Sequence, residues 1–287
     1  MSEEYLIYHS GWRPPPPDPR DYNERNVVDH PTLMNIREAD ELPHDYFIDE
    51  YCSPVEDQKN LGSCTAFARE AVKEACENIA FGACTKGSKR FAYKTTRQCL
   101  NLQGDVGAYN RGAMGALVSI GSCPHKFWRY NVDNFDKTPG GFQYSLAKNY
   151  VCTQYFRHDT TDMPQECVIT SIKKYLYGKI PSVLGFYVYE SFDDGSSVGH
   201  VPFPDPNEQL LGGHAVMICG YSDSVVIKNN RNGKQTVGAL MFKNSWGKEW
   251  GIKGYGWLPY EYVNKRLSND IWSAISIKWL DTGKFGF

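Results

Sequence analysis

Residues 54–68 read PVEDQKNLGSCTAFA and place a cysteine, Cys64, at the start of a helical pattern. Gly62 and Ser63 are residue types that precede helices, and serine is a preferred N-cap. The small and apolar residues after the cysteine recur at helical spacing: Ala68, Val72, Ala75, Cys76 and Ile79. This pattern predicts a helix that carries Cys64 in its first turn, and we expect that helix start to be exposed.

A thiol in the first turn lies at the positive end of the helix dipole, which favours the nucleophilic thiolate. Gln58 precedes Cys64 by six residues. Its side-chain amide can return over the helix start and donate a hydrogen bond to a developing oxyanion. The alternative is an ordinary buried cysteine on an amphipathic helix, because free cysteine is commonly buried.

Gln58 and the sequence GSCTAF at residues 62–67 resemble the catalytic stretch of papain-family cysteine peptidases. Two positions depart from the best-known form of that family. Leu61 stands where secreted members carry a disulfide cysteine, and Thr65 stands where they carry tryptophan. The variant resembles a branch without signal peptides that is found in bacteria, archaea and large DNA viruses.

Two later segments strengthen the resemblance. His214 lies in GGHAVMICGY and follows Cys64 by 150 residues, at the end of the family spacing of about 130–150. Asn244 and Trp246 lie in KNSWG, which matches the Asn-Ser-Trp-Gly motif of the family, 180 residues after Cys64. We attribute the extra length to the turn signal Asn232-Gly233, placed as an excursion between two strands rather than as a simple hairpin.

The resemblance implies a role for each of these side chains. Cys64 supplies the attacking thiolate, and His214 holds the proton and delivers it to the leaving amine. Asn244 orients the imidazole, Gln58 and the backbone amide of Cys64 form the oxyanion hole, and Trp246 shields the His–Asn hydrogen bond. Taken singly, His214 is better explained as a core histidine and Asn244 as a strand-end or turn residue.

Helical patterns precede strand patterns along the chain, which is typical of the α+β class. Helices are predicted within residues 113–120 and 165–177, and strands within 183–189 and 212–221. The resemblance implies a papain-like two-lobe fold with the active site in the cleft between the lobes. We place the peptidase domain at 42–287, with about 42–165 as a mainly helical lobe and about 166–287 as a mainly antiparallel β lobe.

Residues 1–41 form an N-terminal extension. Four prolines, Pro14 to Pro17, make residues 10–21 extended, and the chain up to residue 41 lacks clear periodicity. Leu42-Pro43 resembles the start of the mature domain in papain-like enzymes. We therefore interpret residues 1–41 as a short propeptide that acts as an intramolecular inhibitor. The alternative is a permanent strap on the outside of the two lobes.

The composition limits the kinds of binding partner that we expect for this protein. A net charge of −2 over 287 residues gives no electrostatic case for nucleic acid or an anionic membrane. No apolar run approaches the length of a membrane span, and the first residues lack a signal core, so we expect an intracellular protein, or a virion protein if the source is viral. The nine cysteines contain no CxxC pair; we expect mostly reduced thiols, no metal and no other cofactor.

The sequence therefore predicts a cysteine-type endopeptidase that cleaves peptide or protein substrates through an acyl-enzyme. Three alternatives remain: a catalytically silent papain-fold binding module, a structural virion protein, and a thiol acyltransferase. The third commonly uses aspartate where this chain has Asn244.

Overall fold

An antiparallel sheet and a long buried helix form the frame of the protein. The computed structural model describes residues 11–192, 194 and 198–287. Within these residues the helices are α1 (Pro31–Glu38), α2 (Cys64–Phe81), α3 (Lys89–Cys99), α4 (Asn110–Ser119), α5 (Gly141–Ala147), α6 (Gln165–Tyr177), α7 (Tyr260–Asn264) and α8 (Ile277–Leu280). The strands are β1 (Asp45–Phe47), β2 (Gln154–Arg157), β3 (Ser182–Tyr189), β4 (Leu210–Lys228), β5 (Gln235–Lys243), β6 (Tyr255–Pro259) and β7 (Ser268–Ile275).

The sheet has the strand order β2-β7-β3-β4-β5-β6, and β1 pairs with the far half of β4. The pairs between these strands are antiparallel. The helical segments α2 to α5 come before most of the strands along the chain. The α+β class predicted from the sequence is confirmed.

Helix α2 is buried along nearly its whole length, including its charged residues. Arg69 donates from Nη2 to Glu70 Oε1 at 2.6 Å and to the Gly121 carbonyl outside the helix at 3.2 Å. Lys89 of α3 donates from Nζ to Glu74 Oε1 at 2.7 Å. Burial opposes the ionisation of Glu74, but Lys89 and neighbouring hydrogen bonds outweigh it and lower the pKa of that carboxyl. Because buried charges are costly unless paired, these contacts hold α2 in one position and thereby fix its first residue.

The helix begins at Cys64, as predicted, and ends at Gly82 with φ +72°. The predicted capping role of Ser63 is wrong. Ser63 occupies the N-cap position without capping the helix through its side chain, and its hydroxyl instead lies 2.8 Å from the Tyr130 hydroxyl.

Helix α1 lies in the N-terminal region where we expected no periodic structure. His30 accepts a hydrogen bond from the backbone of Thr32, and Pro31 occupies the first turn, where its missing N–H costs nothing. Leu33 and Ile36 are fully buried. This part of the chain is therefore integrated into the core rather than loosely attached.

The predicted excursion around Asn232-Gly233 is also wrong. Strands β4 and β5 pair directly across that turn, from Lys228 opposite Gln235 to Met217 opposite Lys243. The register of this pair shifts twice, between residues 218 and 220 and between residues 222 and 226. These shifts compensate for the offset between His214 and Asn244 that a simple hairpin would leave.

Candidate active site

Cys64 lies at the N-terminus of α2, facing the first half of β4. The backbone N–H of Ala215, the residue after His214, acts to lower the pKa of the Cys64 thiol. The side chain of Cys64 is fully buried. Our expectation of an exposed helix start is therefore wrong, because an N-terminal segment of the chain covers Cys64.

His214 and Asn244 meet across the β4–β5 pair. His214 lies in β4 opposite Phe186 of β3, and Asn244 follows the last residue of β5. Nε2 of His214 is 2.7 Å from Asn244 Oδ1. Because that oxygen only accepts, Nε2 carries the proton of this bond, which fixes the orientation of the ring. The ring of Trp246 covers His214, with centroids 4.3 Å apart and planes inclined by 30°.

Gln58 is fully buried and is held at both ends of its amide. Its Nε2 donates to the Leu61 carbonyl at 2.7 Å, and its Oε1 accepts from the Ser245 hydroxyl at 2.6 Å. Its backbone N–H donates to the Ser245 carbonyl at 2.8 Å. These contacts tie the loop before Cys64 to the segment that contains Asn244.

Residues 11–13, hereafter the covering segment, lie directly over Cys64. A Cβ built on Gly11 would come 2.7 Å from the Cys64 sulfur. On one side, Gly11 O accepts from Ala108 N–H at 3.0 Å and Arg13 N–H donates to Ala108 O at 3.1 Å. On the other side, Trp12 N–H donates to Gly213 O at 3.0 Å. The segment is thus paired with a residue just before α4 and with the residue before His214.

Comparison with known proteins identifies the family. Residues 44–268, more than half of the chain, match the model of the papain family of cysteine proteases. The chain belongs to this family. The peptidase is 34% identical over 227 residues to an uncharacterised peptidase C1-like protein of Acanthamoeba polyphaga mimivirus, covering 75% of this chain and 68% of that protein.

Solved structures agree with this assignment. The crystal structure of xylellain, a cysteine protease from Xylella fastidiosa, superposes with a TM-score of 0.74 at 29% identity, over 94% of this peptidase and 96% of that chain. Procathepsin B from Trypanosoma congolense gives a TM-score of 0.67 at 17% identity, over 96% of this peptidase and 87% of that chain, and shares the fold. The predicted papain-like peptidase fold and hydrolase class are confirmed.

Burial controls the charge state of the cysteine in this covered arrangement. Burial raises the pKa of the Cys64 thiol to about 12, although the backbone N–H groups of Ala215, Thr65 and Cys64 itself act in the opposite direction. The helix start was expected to favour the thiolate, but burial opposes ionisation of the covered thiol. Desolvation of the sulfur outweighs the local dipoles.

The five residues singled out from the sequence of the peptidase gather in one region: Gln58, Cys64, His214, Asn244 and Trp246. Ser245 was not predicted as a site residue, although it lies inside the KNSWG motif. Tyr130 was not predicted either, and its hydroxyl donates to the Gln58 carbonyl at 2.6 Å. Nothing in the local sequence marks Tyr130 as a neighbour of Gln58, because 72 residues separate them.

Among the described residues, no helix has the length and apolarity needed to cross a membrane. In the same part of the chain, no group of three or more histidine, cysteine, aspartate or glutamate side chains is arranged to hold a metal ion. The nine cysteines are unpaired in this structure.

Proposed function

We propose that the peptidase cleaves internal peptide bonds through an acyl-enzyme on Cys64, with His214 and Asn244 as its partners. The observation that carries this proposal is the 2.7 Å contact between His214 Nε2 and Asn244 Oδ1, next to a cysteine at a helix start. Asn244 Oδ1 also accepts from the backbone N–H of Ser245 at 2.8 Å, so the acceptor itself is held in place.

The orientation of the ring supports one proton path. Nε2 keeps its proton in the bond to Asn244, and Nδ1 exchanges a proton with the Cys64 sulfur. The thiolate attacks the peptide carbonyl, the imidazolium gives its proton to the leaving amine, and a water molecule then hydrolyses the thioester with His214 as base. Trp246 over the ring keeps water from the Asn244 bond.

The oxyanion site is built from two donors. The backbone N–H of Cys64 opens α2 and has no partner within the helix. Gln58 uses one hydrogen of its side-chain amide on the Leu61 carbonyl, which leaves the other for an oxyanion. The Ser245 hydroxyl fixes this amide from its other end. Loss of one such donor costs about 100- to 1000-fold in rate.

The covering segment acts as the inhibitor in this proposal. It closes off Cys64 without being placed as a substrate, because the Gly11 carbonyl oxygen is engaged by Ala108 N–H rather than by the Cys64 and Gln58 donors. A carbonyl directed away from the oxyanion donors is not activated for attack. The covering segment therefore blocks the site while its Gly11–Trp12 peptide bond is not activated for cleavage.

The N-terminal extension divides into two parts with different roles. Gly11 and Trp12 are buried at the site, and residues 13–21 lie along the surface, held by polar contacts such as Arg111 to Asp21 and to the Pro16 carbonyl. Residues 27–36 bury Val27, Leu33 and Ile36 in the core. We propose that only the first part is released on activation and that α1 stays with the active enzyme. A propeptide ending at residue 41 would carry core residues away with it.

The test is hydrolysis of a peptide mixture by the full-length Trp12→Ala variant, in which the covering segment loses its buried anchor. Adding Cys64→Ala should abolish hydrolysis, whereas Cys76→Ala, another fully buried cysteine of the same helix, should retain it. Hydrolysis that persists without Cys64 contradicts the proposal. Failure of a thiol-directed epoxide to label Cys64 in the Trp12→Ala variant would favour a silent binding module.

A further inference from the structure

Residues 13–19, hereafter the proline segment, read RPPPPDP and continue the chain from Trp12. A proline ring fixes φ near −65°, and a residue that precedes a proline is restricted to extended conformations. Five of these seven residues precede a proline. Residues 13–18 belong to no helix or strand, and a turn from the Asp18 carbonyl to the Asp21 N–H, at 3.1 Å, ends the segment. The proline segment is therefore a left-handed polyproline II helix of about two turns.

The exposure of the side chains follows the three-residue repeat of such a helix. Trp12, Pro15 and Asp18 form one ridge, which is buried or half-buried against the enzyme. The other two ridges are exposed at every position. They consist of Arg13, Pro16 and Pro19 on one and of Pro14 and Pro17 on the other. The segment thus lies with one ridge towards the enzyme and two ridges towards solvent.

The polar contacts that hold this part of the chain come from the inward ridge and from the backbone. Trp12 Nε1 donates to Asp270 Oδ2 at 3.0 Å. Arg111 Nη2 donates to the Pro16 carbonyl at 2.9 Å. Neither contact uses an outward proline ring. The outward rings therefore stay available to a partner while the segment is in place.

Exposed proline rings at this spacing match a general way in which proteins recognise peptides. The spacing Pro-x-x-Pro occurs once in each outward ridge, at Pro14 with Pro17 and at Pro16 with Pro19. Domains of the SH3 type bind such sequences in grooves lined by aromatic side chains, because a preformed polyproline II helix loses little entropy on binding. Arg13 adds a positive charge at the start of one ridge, so a complementary groove carries acidic side chains beside it.

We propose that the proline segment is a docking site for a protein domain with an aromatic-lined groove flanked by acidic side chains, and that this domain binds the covered form of the enzyme. Both outward ridges are accessible while Trp12 is buried, so docking does not require the covering segment to leave. The partner positions the covered enzyme without activating it. The inference does not depend on the catalytic role of Cys64.

The experiment titrates the full-length protein with an isolated SH3 domain that binds Pro-x-x-Pro peptides preceded by arginine, and calorimetry gives the dissociation constant. Pro16→Ala removes a ring from an outward ridge and should weaken binding about tenfold or more. Pro15→Ala is the matched control, because it frees one φ in the same way but removes a ring that faces the enzyme; it should weaken binding far less. Arg13→Glu reverses the charge and should weaken binding more than Pro15→Ala does. Thermal melting checks that the variants fold.

A second measurement follows alkylation of Cys64 by iodoacetamide with the domain at saturation. We expect an unchanged rate, because the covering segment stays in place. A faster rate would show that the domain binds only the released segment, and it would refute docking to the covered enzyme. The proposal is also overturned if the unchanged protein does not bind the domain, or if Pro15→Ala and Pro16→Ala weaken binding equally.

Discussion

Replacing Gly11 by alanine adds one methyl group at the most crowded point of the covering segment. That carbon would lie 2.7 Å from the Cys64 sulfur, 2.9 Å from the Gly62 carbonyl carbon and 3.0 Å from the Gly62 carbonyl oxygen. Two of these three atoms are backbone, so a side-chain rotation cannot relieve the contact. The φ of Gly11 lies outside the left-handed region, so alanine can adopt it and the strain comes from contact alone.

The size of the effect follows from the cost of overpacking, about 1–3 kcal/mol for an added methyl group in a packed site. This cost falls on the closed state only, because the released segment meets neither Cys64 nor Gly62. At about 1.4 kcal/mol per factor of ten, the population of the open state should rise about 5- to 150-fold.

The assay is the second-order rate constant for alkylation of Cys64 by iodoacetamide, read by peptide mapping so that the other cysteines do not interfere. The rate should rise by the same factor as the open population, and peptide hydrolysis should rise with it. Gly141→Ala is the matched control, because a Cβ at Gly141 meets nothing within 4 Å. If Gly11→Ala labels no faster than Gly141→Ala, the covering segment does not restrain the enzyme.

Three other results are expected. In the released enzyme, Asn244→Ala should lower kcat less than Cys64→Ala does, because Asn244 orients the imidazole and transfers no proton; equal losses in two folded variants would contradict that role. A chain that begins at Arg20 should gain activity and melt at a clearly higher temperature than a chain that begins at Leu42, because only the shorter chain also loses α1. Equal melting of the two truncated chains would refute the two-part extension. Burial raises the pKa of the covered Cys64 thiol to about 12. The alkylation rate of Cys64 in the intact protein should therefore keep rising with pH up to about pH 10. A plateau in that rate near neutral pH would show that the thiol is not covered.

The residues of the site could be predicted from the sequence because each lies in a short local pattern. Cys64 precedes a helical repeat, and Asn244 and Trp246 share one motif. Helix α6 has the predicted bounds for the same reason: its apolar spacing is regular and Gly178 ends it. Such patterns involve residues that are close together along the chain, so they can be recognised in the sequence itself.

The remaining features depend on contacts between distant residues. Trp12 and Asp270 are 258 positions apart, so no window of sequence shows that they meet. Helix α1 has weak local periodicity and is stabilised by burial of Leu33 and Ile36. The burial of Cys64 was missed because the covering segment, not the helix itself, removes it from water.

The most direct test of the account is to trap the acyl-enzyme. The Trp12→Ala variant is mixed with an activated peptide ester, quenched in acid during turnover, digested and mapped by mass spectrometry. We predict that the acyl group is found on the peptide that contains Cys64, and that His214→Ala greatly slows its formation. Turnover of the ester with no acyl group on Cys64, or with the group on another of the nine cysteines, would contradict the account.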